Sequence, residues 1–337
     1  MATIRPFRAL RYDERAGSLD DLVAPPYDVI GPDERRAYLE RSPYNAVHLT
    51  LPESPAEAAV TLAAWRADRV LREEEPALWW VAQDYVGPDG VARTREGIAG
   101  SIEVTPYEAG EVLPHERTHA GPKEDRLRLL RATRTQLEPI FLLYDGDPPL
   151  ARPEYDPELD AEEGGVRTRM WRVRSGALDV PGPLLIADGH HRYETALAFR
   201  DEEPEATHTF AVLVSSRSPG LSIFPTHRIA RRLTQEPPLA AENGGLRVYR
   251  GGEERPVPVE DELDVAAVER YAADVAYTPY EDEARAAVDR GEAEAAFLVR
   301  APTVDQVRAY ATRGETMPQK STFFYPKLTS GLLFHPL

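Results

Sequence analysis

The residues best suited to bind an anion are the consecutive Asp188, Gly189, His190, His191 and Arg192. An apolar run over 184–187 precedes them and predicts a strand, and a helical pattern follows at once. A glycine turn between a strand and a helix leaves the first N–H groups of the helix without partners, at the positive end of the helix dipole. Arg192 would oppose that dipole unless an anion lay there, and its guanidinium matches phosphate oxygens. We therefore predict a phosphate-binding turn.

Within this turn, roles divide by residue type. Asp188, Gly189 and His191 are predicted to bind the ligand, and His190 and Arg192 to act on the reacting group. Two other interpretations stay open: an ordinary helix start with two surface histidines, or a metal site formed by both histidines. Adjacent side chains on a helix do not face each other, which disfavours the metal site.

A second polar cluster extends over Leu113–Arg126 and includes the start of another predicted helix. His115 and Glu116 carry side chains that transfer protons as an acid and a base. Lys123 and Arg126 would neutralise charge that develops on a phosphoryl group. The alternative interpretation is a solvated loop that caps a surface helix.

Two further segments complete the candidate residues. In Met317–Lys327, aromatic residues are interleaved with lysines and hydroxyl side chains. The aromatic rings could stack a base, and the lysines and hydroxyls could hold phosphate. The candidate binding residues of this segment are Lys320, Ser321 and Lys327. An edge strand is the other interpretation of that run. In Pro26–Val29, Asp28 is either a turn former or, with Asp188, a carboxylate ligand of Mg²⁺.

The elements that must position these clusters alternate between strands and helices, which favours an α/β or α+β fold. The predicted strands include Leu78–Tyr85, Arg93–Thr105 and Leu184–Ala187. The predicted helices include Glu57–Glu74, Gly121–Leu137, His191–Arg200 and Val265–Asp274. The segment Pro237–Asp261 is polar and rich in residues that interrupt helices and strands, so it predicts a linker.

Composition excludes several classes of function. The chain of 337 residues exceeds the usual size of one core, so two domains are expected, with one elaborated domain as the alternative. It contains no Cys, which excludes thiol chemistry and disulfides. Its net charge of −17 disfavours a nucleic-acid partner. No apolar run is long enough to span a membrane, and no signal peptide is predicted, so a cytoplasmic location is expected. The sequence predicts no oligomeric state.

The four clusters together resemble the bacterial and archaeal family catalogued as domain of unknown function 1015. The resemblance covers Pro25–Ile30, Leu113–Arg126, Ala187–Leu197 and Met317–Leu332. The long runs Ala187–Ala196 and Lys320–Lys327 carry most of its specificity.

The glycine turn also looks like that of the ParB/sulfiredoxin superfamily, which includes partition proteins, sulfiredoxin and free-serine kinases. Sulfiredoxin has a reactive Cys where this chain has His190, a departure that excludes reduction of sulfinic acids. The turn fits the Asp-Gly-His-x-Arg form of the free-serine kinases. This resemblance implies a ParB/sulfiredoxin-like α/β core at 101–235, between an N-terminal α/β region at 1–100 and a C-terminal one at 236–337.

The leading hypothesis is phosphoryl transfer, in either direction, between a nucleotide (ATP or ADP, with Mg²⁺) and a small hydroxylated metabolite. Free serine or phosphoserine is the first substrate to test, and Glu116 would remove the proton from the attacking hydroxyl. One alternative is a nucleotide-binding switch, which needs the turn but not Glu116. Another is a metal-dependent hydrolase that uses His115, His119, His190 and His191.

Overall fold

Apolar runs separated by Pro- and Gly-rich connections fold into a mixed α/β structure, which confirms the predicted fold class. A computed structural model describes residues 1–116, 120–240, 245–259 and 263–337. Through residue 215 its strands are β1 (Ala2–Arg5), β2 (Leu10–Tyr12), β3 (Leu71–Glu73), β4 (Leu78–Val86), β5 (Ala92–Glu103), β6 (Val112–Leu113), β7 (Thr135–Gln136), β8 (Ile140–Tyr144), β9 (Leu159–Glu163), β10 (Val166–Val173), β11 (Leu178–Val180), β12 (Leu184–Asp188) and β13 (His208–Ser215).

The helices of the same part are α1 (Leu19–Leu22), α2 (Pro32–Arg41), α3 (Val47–Thr50), α4 (Pro55–Ala67), α5 (Ala120–Thr133) and α6 (His190–Glu202). Helices α5 and α6 pack against each other through Leu127, Leu130 and Phe199. Within the described parts of the chain, no helix combines the length and the apolar character that a membrane crossing requires.

The larger sheet has the strand order β6-β12-β8-β13-β5-β4-β10-β9, and β1 joins it by pairing with β5 and β11. Strand β12 runs parallel to β6 and antiparallel to β8. Because parallel neighbours end at the same edge of a sheet, the residues after β6 and those after β12 emerge side by side. This pairing brings Glu116 and Asp188 to one edge although they are far apart in sequence.

Strand β12 is buried on both faces, which explains its uninterrupted apolar run. Leu185 and Ala187 pack into the cluster on one face of the sheet, and Leu184 and Ile186 pack into the cluster on the other. Tyr193, from the first turns of α6, belongs to the second cluster. The strand and the helix that flank the glycine turn are therefore both fixed by core packing.

The C-terminal part forms a second, antiparallel sheet with the strand order β17-β16-β19-β15-β18. Its elements are β14 (Ser222–Phe224), β15 (His227–Leu233), β16 (Leu246–Arg250), β17 (Glu253–Val257), α7 (Asp264–Val268), β18 (Ala272–Thr278), α8 (Glu281–Asp289), β19 (Ala295–Leu298), α9 (Val304–Thr312), β20 (Phe323–Tyr325) and β21 (His335–Pro336). Strands β14 and β20 form a separate two-stranded sheet.

Two predictions about this part were wrong. The predicted linker Pro237–Asp261 contains the hairpin of β16 and β17, because Gly251 and Gly252 form its turn, both with positive φ. The predicted helix Val265–Asp274 ends at Val268, and its last residues pair with β15 as part of β18.

The regions predicted from the superfamily resemblance divide the chain differently from its sheets. The boundary between residues 100 and 101 falls inside β5, within the larger sheet. The boundary between residues 235 and 236 follows β15, which already belongs to the smaller sheet. The ParB/sulfiredoxin-like core stays a prediction.

Candidate functional site

The four sequence clusters meet around one cleft between the two sheets. A large lobe has a volume of about 740 Å³ and lies at the start of α6. A small lobe of about 160 Å³ adjoins it. The residues that line both lobes are Asp28, Glu116, Asp188, His190 and Lys320. The two lobes are therefore parts of one continuous cleft, and each of the four clusters contributes to it.

The floor of the cleft is a buried group of charges centred on Asp188, the last residue of β12. One carboxylate oxygen of Asp188 accepts a hydrogen bond from Lys327 and the other accepts one from Arg192. Burial by itself would raise the pKa of Asp188, but the charges of Lys327 and Arg192 outweigh it and hold that pKa well below its usual range. Burial by itself would lower the pKa of Lys327, but the charges of Asp188 and Asp28 together raise it above its usual value, so the lysine stays charged.

The predicted glycine turn is confirmed as a backbone conformation. Gly189 has a φ of +94°, in the left-handed region that favours glycine, and directly precedes α6. The first helical hydrogen bond runs from the N–H of Tyr193 to the carbonyl of Gly189 at 2.9 Å. Within the described residues, the N–H groups of His190 and Arg192 have no acceptor. These amides lie where the helix start lines the large lobe, as an anion site requires.

The side chain of Arg192 is already engaged on the protein side. Its exposed fraction is 9%. Besides its bond to Asp188, it donates to the carbonyl of Pro139. Burial opposes its charge, but Asp188 and Glu138 raise the pKa of Arg192 above its usual value. The guanidinium therefore positions Asp188 and the turn, and it has fewer N–H groups left for a ligand than the sequence predicted.

His115 and His190 are neighbouring buried imidazoles; His190 lines the cleft and His115 lies behind it. Their ring centroids lie 4.7 Å apart, and the N–H of His115 donates to Nε2 of His190 at 3.3 Å. Burial lowers the pKa of His115 to about 4 and lowers that of His190 well below its ordinary value, so both are neutral at pH 7. Nε2 of His115 lies 2.9 Å from Oγ1 of Thr322. Thr322 in turn donates to Glu116 at 3.5 Å.

Glu116 has the properties of a general base. It lines both lobes of the cleft. Burial raises its pKa, and the positive charges of Lys327 and Lys320 oppose that shift only in part. A carboxylate whose pKa moves toward neutrality is a more effective proton acceptor. Lys320 is exposed at the border of the two lobes, where its ammonium group can meet an anion.

Three residues predicted to bind the ligand line neither lobe. Lys123 forms an ion pair with Glu194 at 3.4 Å. Arg126 lies over the ring of Tyr27, 4.2 Å from its centroid, and donates to the carbonyl of Thr50 at 2.6 Å. Ser321 is fully buried and donates to the carbonyl of Pro318 at 2.5 Å.

The sequence did not point to Glu138, a buried carboxylate behind the cleft. Its Oε1 accepts from the N–H of Tyr27 at 3.0 Å and from the hydroxyl of Ser330 at 2.8 Å. Burial raises the pKa of Glu138, while Arg192 and Arg126 act in the opposite direction. Glu138 thus ties together segments that supply different walls of the cleft. No local pattern signals this role, because its partners lie 111 and 192 residues away.

The carboxylates predicted to bind Mg²⁺ differ in accessibility. Asp28, in the single turn Tyr27–Val29, is exposed and lines both lobes. Both oxygens of Asp188 already accept from cations. Across the residues that the structure describes, no group of three or more His, Asp or Glu side chains is arranged to hold a metal ion. His119, part of the hydrolase alternative, lies outside the described residues.

A family model described as "Protein of unknown function (DUF1015)" matches residues 4–247. No curated protein matches the chain.

Among solved structures, the chain is similar to a conserved hypothetical protein from Pyrococcus furiosus at 16% identity and a TM-score of 0.38, covering 67% of this chain and 90% of that one. It is similar to a free serine kinase in complex with AMP at 17% identity and a TM-score of 0.43, covering 69% and 92%. It is also similar to SbnI with a C-terminal truncation from Staphylococcus aureus at 12% identity and a TM-score of 0.39, covering 68% and 84%. These values describe a distant likeness of fold.

Proposed function

This chain belongs to the DUF1015 family, and we propose that it is a nucleotide-dependent phosphotransferase that acts on the hydroxyl group of a small metabolite. The observation that carries the proposal is that a carboxylate and a group of helix-start amides line the same cleft. Glu116, a carboxylate with a raised pKa, lines the same lobe as the amides of His190 and Arg192, which have no acceptor among the residues that the structure describes. One feature accepts a proton and the other holds a phosphate, and phosphoryl transfer to a hydroxyl needs both.

In the proposed reaction, the hydroxyl of the metabolite attacks the terminal phosphorus of the nucleotide while Glu116 accepts its proton. The amides of His190 and Arg192 hold phosphoryl oxygens, and Lys320, which lines the same lobe, adds a positive charge. The new bond forms between the substrate oxygen and phosphorus, and the bond to the leaving nucleotide oxygen breaks. The same groups serve the reverse direction.

The charges of the cleft favour a nucleotide that arrives with a divalent cation. Asp28, Glu116 and Glu269 line the large lobe together with Lys320. A bare polyphosphate would meet several carboxylates there. Mg²⁺ is commonly held by one or two carboxylates together with phosphate oxygens, so the exposed Asp28 fits it. When bound, Mg²⁺ would neutralise charge on the phosphates. We assign Asp188 to the buried charge group on the floor instead.

Free serine or phosphoserine is the first substrate to test. The Asp188–Arg192 turn matches the Asp-Gly-His-x-Arg form that the sequence shares with free-serine kinases. The large lobe, at about 740 Å³, has the size of an ordinary small-molecule pocket.

A thermal-shift screen of ADP and ATP with Mg²⁺, followed by phosphorus NMR with a panel of hydroxylated amino acids and sugars, tests the proposal. Glu116→Gln should lower turnover by about 100-fold or more, the usual contribution of a general base, and leave the nucleotide-induced shift intact. Glu269→Gln is the matched control, because it removes one charge from the same lobe and should retain turnover.

Wild-type protein that gains no stability from either nucleotide would rule the proposal out. Full turnover by Glu116→Gln would remove Glu116 from the role of base. Nucleotide binding without transfer to any acceptor would favour the nucleotide-binding switch.

A further inference from the structure

The small lobe differs in character from the large one. Alongside the charged groups that both lobes share, its wall carries the apolar side chains of Val29, Tyr277, Pro279 and Phe323. Val29 is 47% exposed and Tyr277 is 38% exposed, so the wall offers apolar surface to a ligand. The lobe measures about 160 Å³, and a cavity of about 150 Å³ is known to hold one aromatic ring.

The two aromatic rings of this wall are held by strands. Tyr277 lies in β18, opposite Arg228 of β15. The guanidinium of Arg228 lies over the Tyr277 ring, 5.2 Å from its centroid, and also donates to the carbonyl of Gln319 at 3.0 Å. Phe323 lies in β20, paired with Phe224 of β14. Strand pairing fixes the backbone at both rings and Arg228 packs on the ring of Tyr277, so little entropy is lost when a planar group packs against them.

We infer that the small lobe is the subsite for the nucleobase of the nucleotide, with Tyr277 and Phe323 as its aromatic walls. The inference rests on the proposed function, since it places one half of the same ligand. Aromatic side chains stack on any base through its flat face, and such contacts contribute substantially to affinity. His190 and Lys320 line both lobes, so a nucleotide whose phosphates lie at the start of α6 can extend its base into the small lobe.

The location has a structural consequence. Tyr277 and Pro279 follow residue 247, where the match to the family model ends. The base is therefore read by the C-terminal sheet, whereas the phosphates are held by the larger sheet and α6.

Calorimetric titration of the full-length protein with ADP and with pyrophosphate, both with Mg²⁺, separates the two halves of the ligand. Tyr277→Ala should weaken ADP binding about tenfold or more and leave pyrophosphate binding unchanged. Tyr277→Phe keeps the ring and should retain the affinity for ADP. Tyr280→Ala is the matched control: this tyrosine is more exposed, at 51%, and lines neither lobe, so its loss should affect neither ligand.

Unchanged ADP affinity in Tyr277→Ala, with wild-type binding of both ligands, would overturn the base subsite and leave the proposed function standing. Equal weakening of ADP and pyrophosphate would also overturn it, because the ring would then act on the phosphates or on the fold. If the wild-type protein bound neither ligand, the subsite and the proposed function would both fail.

Discussion

Replacement of Lys327 by Met tests the buried charge group on the floor of the cleft. The side chain of Asp188 is 9% exposed and that of Lys327 is 23% exposed, so the carboxylate has little access to water. Removing one partner of a buried ion pair costs about 3–5 kcal/mol, because the remaining charge is left without compensation. Arg192 still donates to the other oxygen of Asp188, so we expect the lower end of that range, about 3 kcal/mol.

Urea denaturation of the wild type, Lys327→Met, Asp188→Asn and the double variant measures this coupling as a double-mutant cycle. In the double variant the buried carboxylate is absent, so the loss of the lysine should cost less than it does alone, by about 1 kcal/mol or more. Arg131→Met, which removes one side of the exposed Arg131–Glu202 pair, is the control and should change stability little. Additive losses, to within about 0.5 kcal/mol, would refute the reasoning.

Two other predictions concern the turn and the buried histidines. Gly189→Ala should cost about 1–2 kcal/mol because of its positive φ and should weaken nucleotide binding, since the new Cβ would lie 3.0 Å from Nε of Arg192. Gly291→Ala is the control, because Gly291 has a φ of +74° with open space around it. It should lower the free energy of unfolding by a similar amount without affecting nucleotide binding. Equal losses of binding in the two variants would contradict this prediction. His115 has a folded pKa of about 4 against about 6.5 when unfolded, so the unfolded chain takes up the proton first as the pH falls. Through this residue, the free energy of unfolding should fall by about 3 kcal/mol between pH 6.5 and pH 4. Over the same pH range, the urea midpoint of His115→Gln should fall less than that of the wild type. Identical pH profiles for the two proteins would sink the assignment.

The sequence was sufficient to predict the local geometry of the turn. A buried apolar strand, a glycine and a helix start follow one another directly, and each has a strong signature over a few residues. The structure confirms this arrangement at Leu184–Asp188, Gly189 and α6. The hairpin of β16 and β17 escaped prediction because its two glycines suggested a linker, although they form a two-residue turn.

The sequence was less informative about which charged side chains face the ligand. Arg192 was predicted to hold phosphate, but its bond to the carbonyl of Pro139 joins residues 53 positions apart, and no pattern of spacing reveals that contact. The same limit applies to Lys123, whose partner Glu194 lies on another helix. Residue type predicts the ability to bind an anion, whereas tertiary contacts decide whether that ability is already used. Tyr277 was missed because no strand was predicted after the helix expected at Val265–Asp274, whereas Ala272–Thr278 form β18.

Asp188 and Lys327 lie 139 positions apart in the sequence, which bears on how the protein is made. Translation delivers Asp188 long before Lys327, and early parts of a chain begin to fold first. Until the lysine leaves the ribosome, the strand that ends at Asp188 holds a carboxylate with one of its two cationic partners missing. A polypeptide stopped ahead of that lysine would carry the glycine turn but lack one of the two cations that compensate the charge of Asp188.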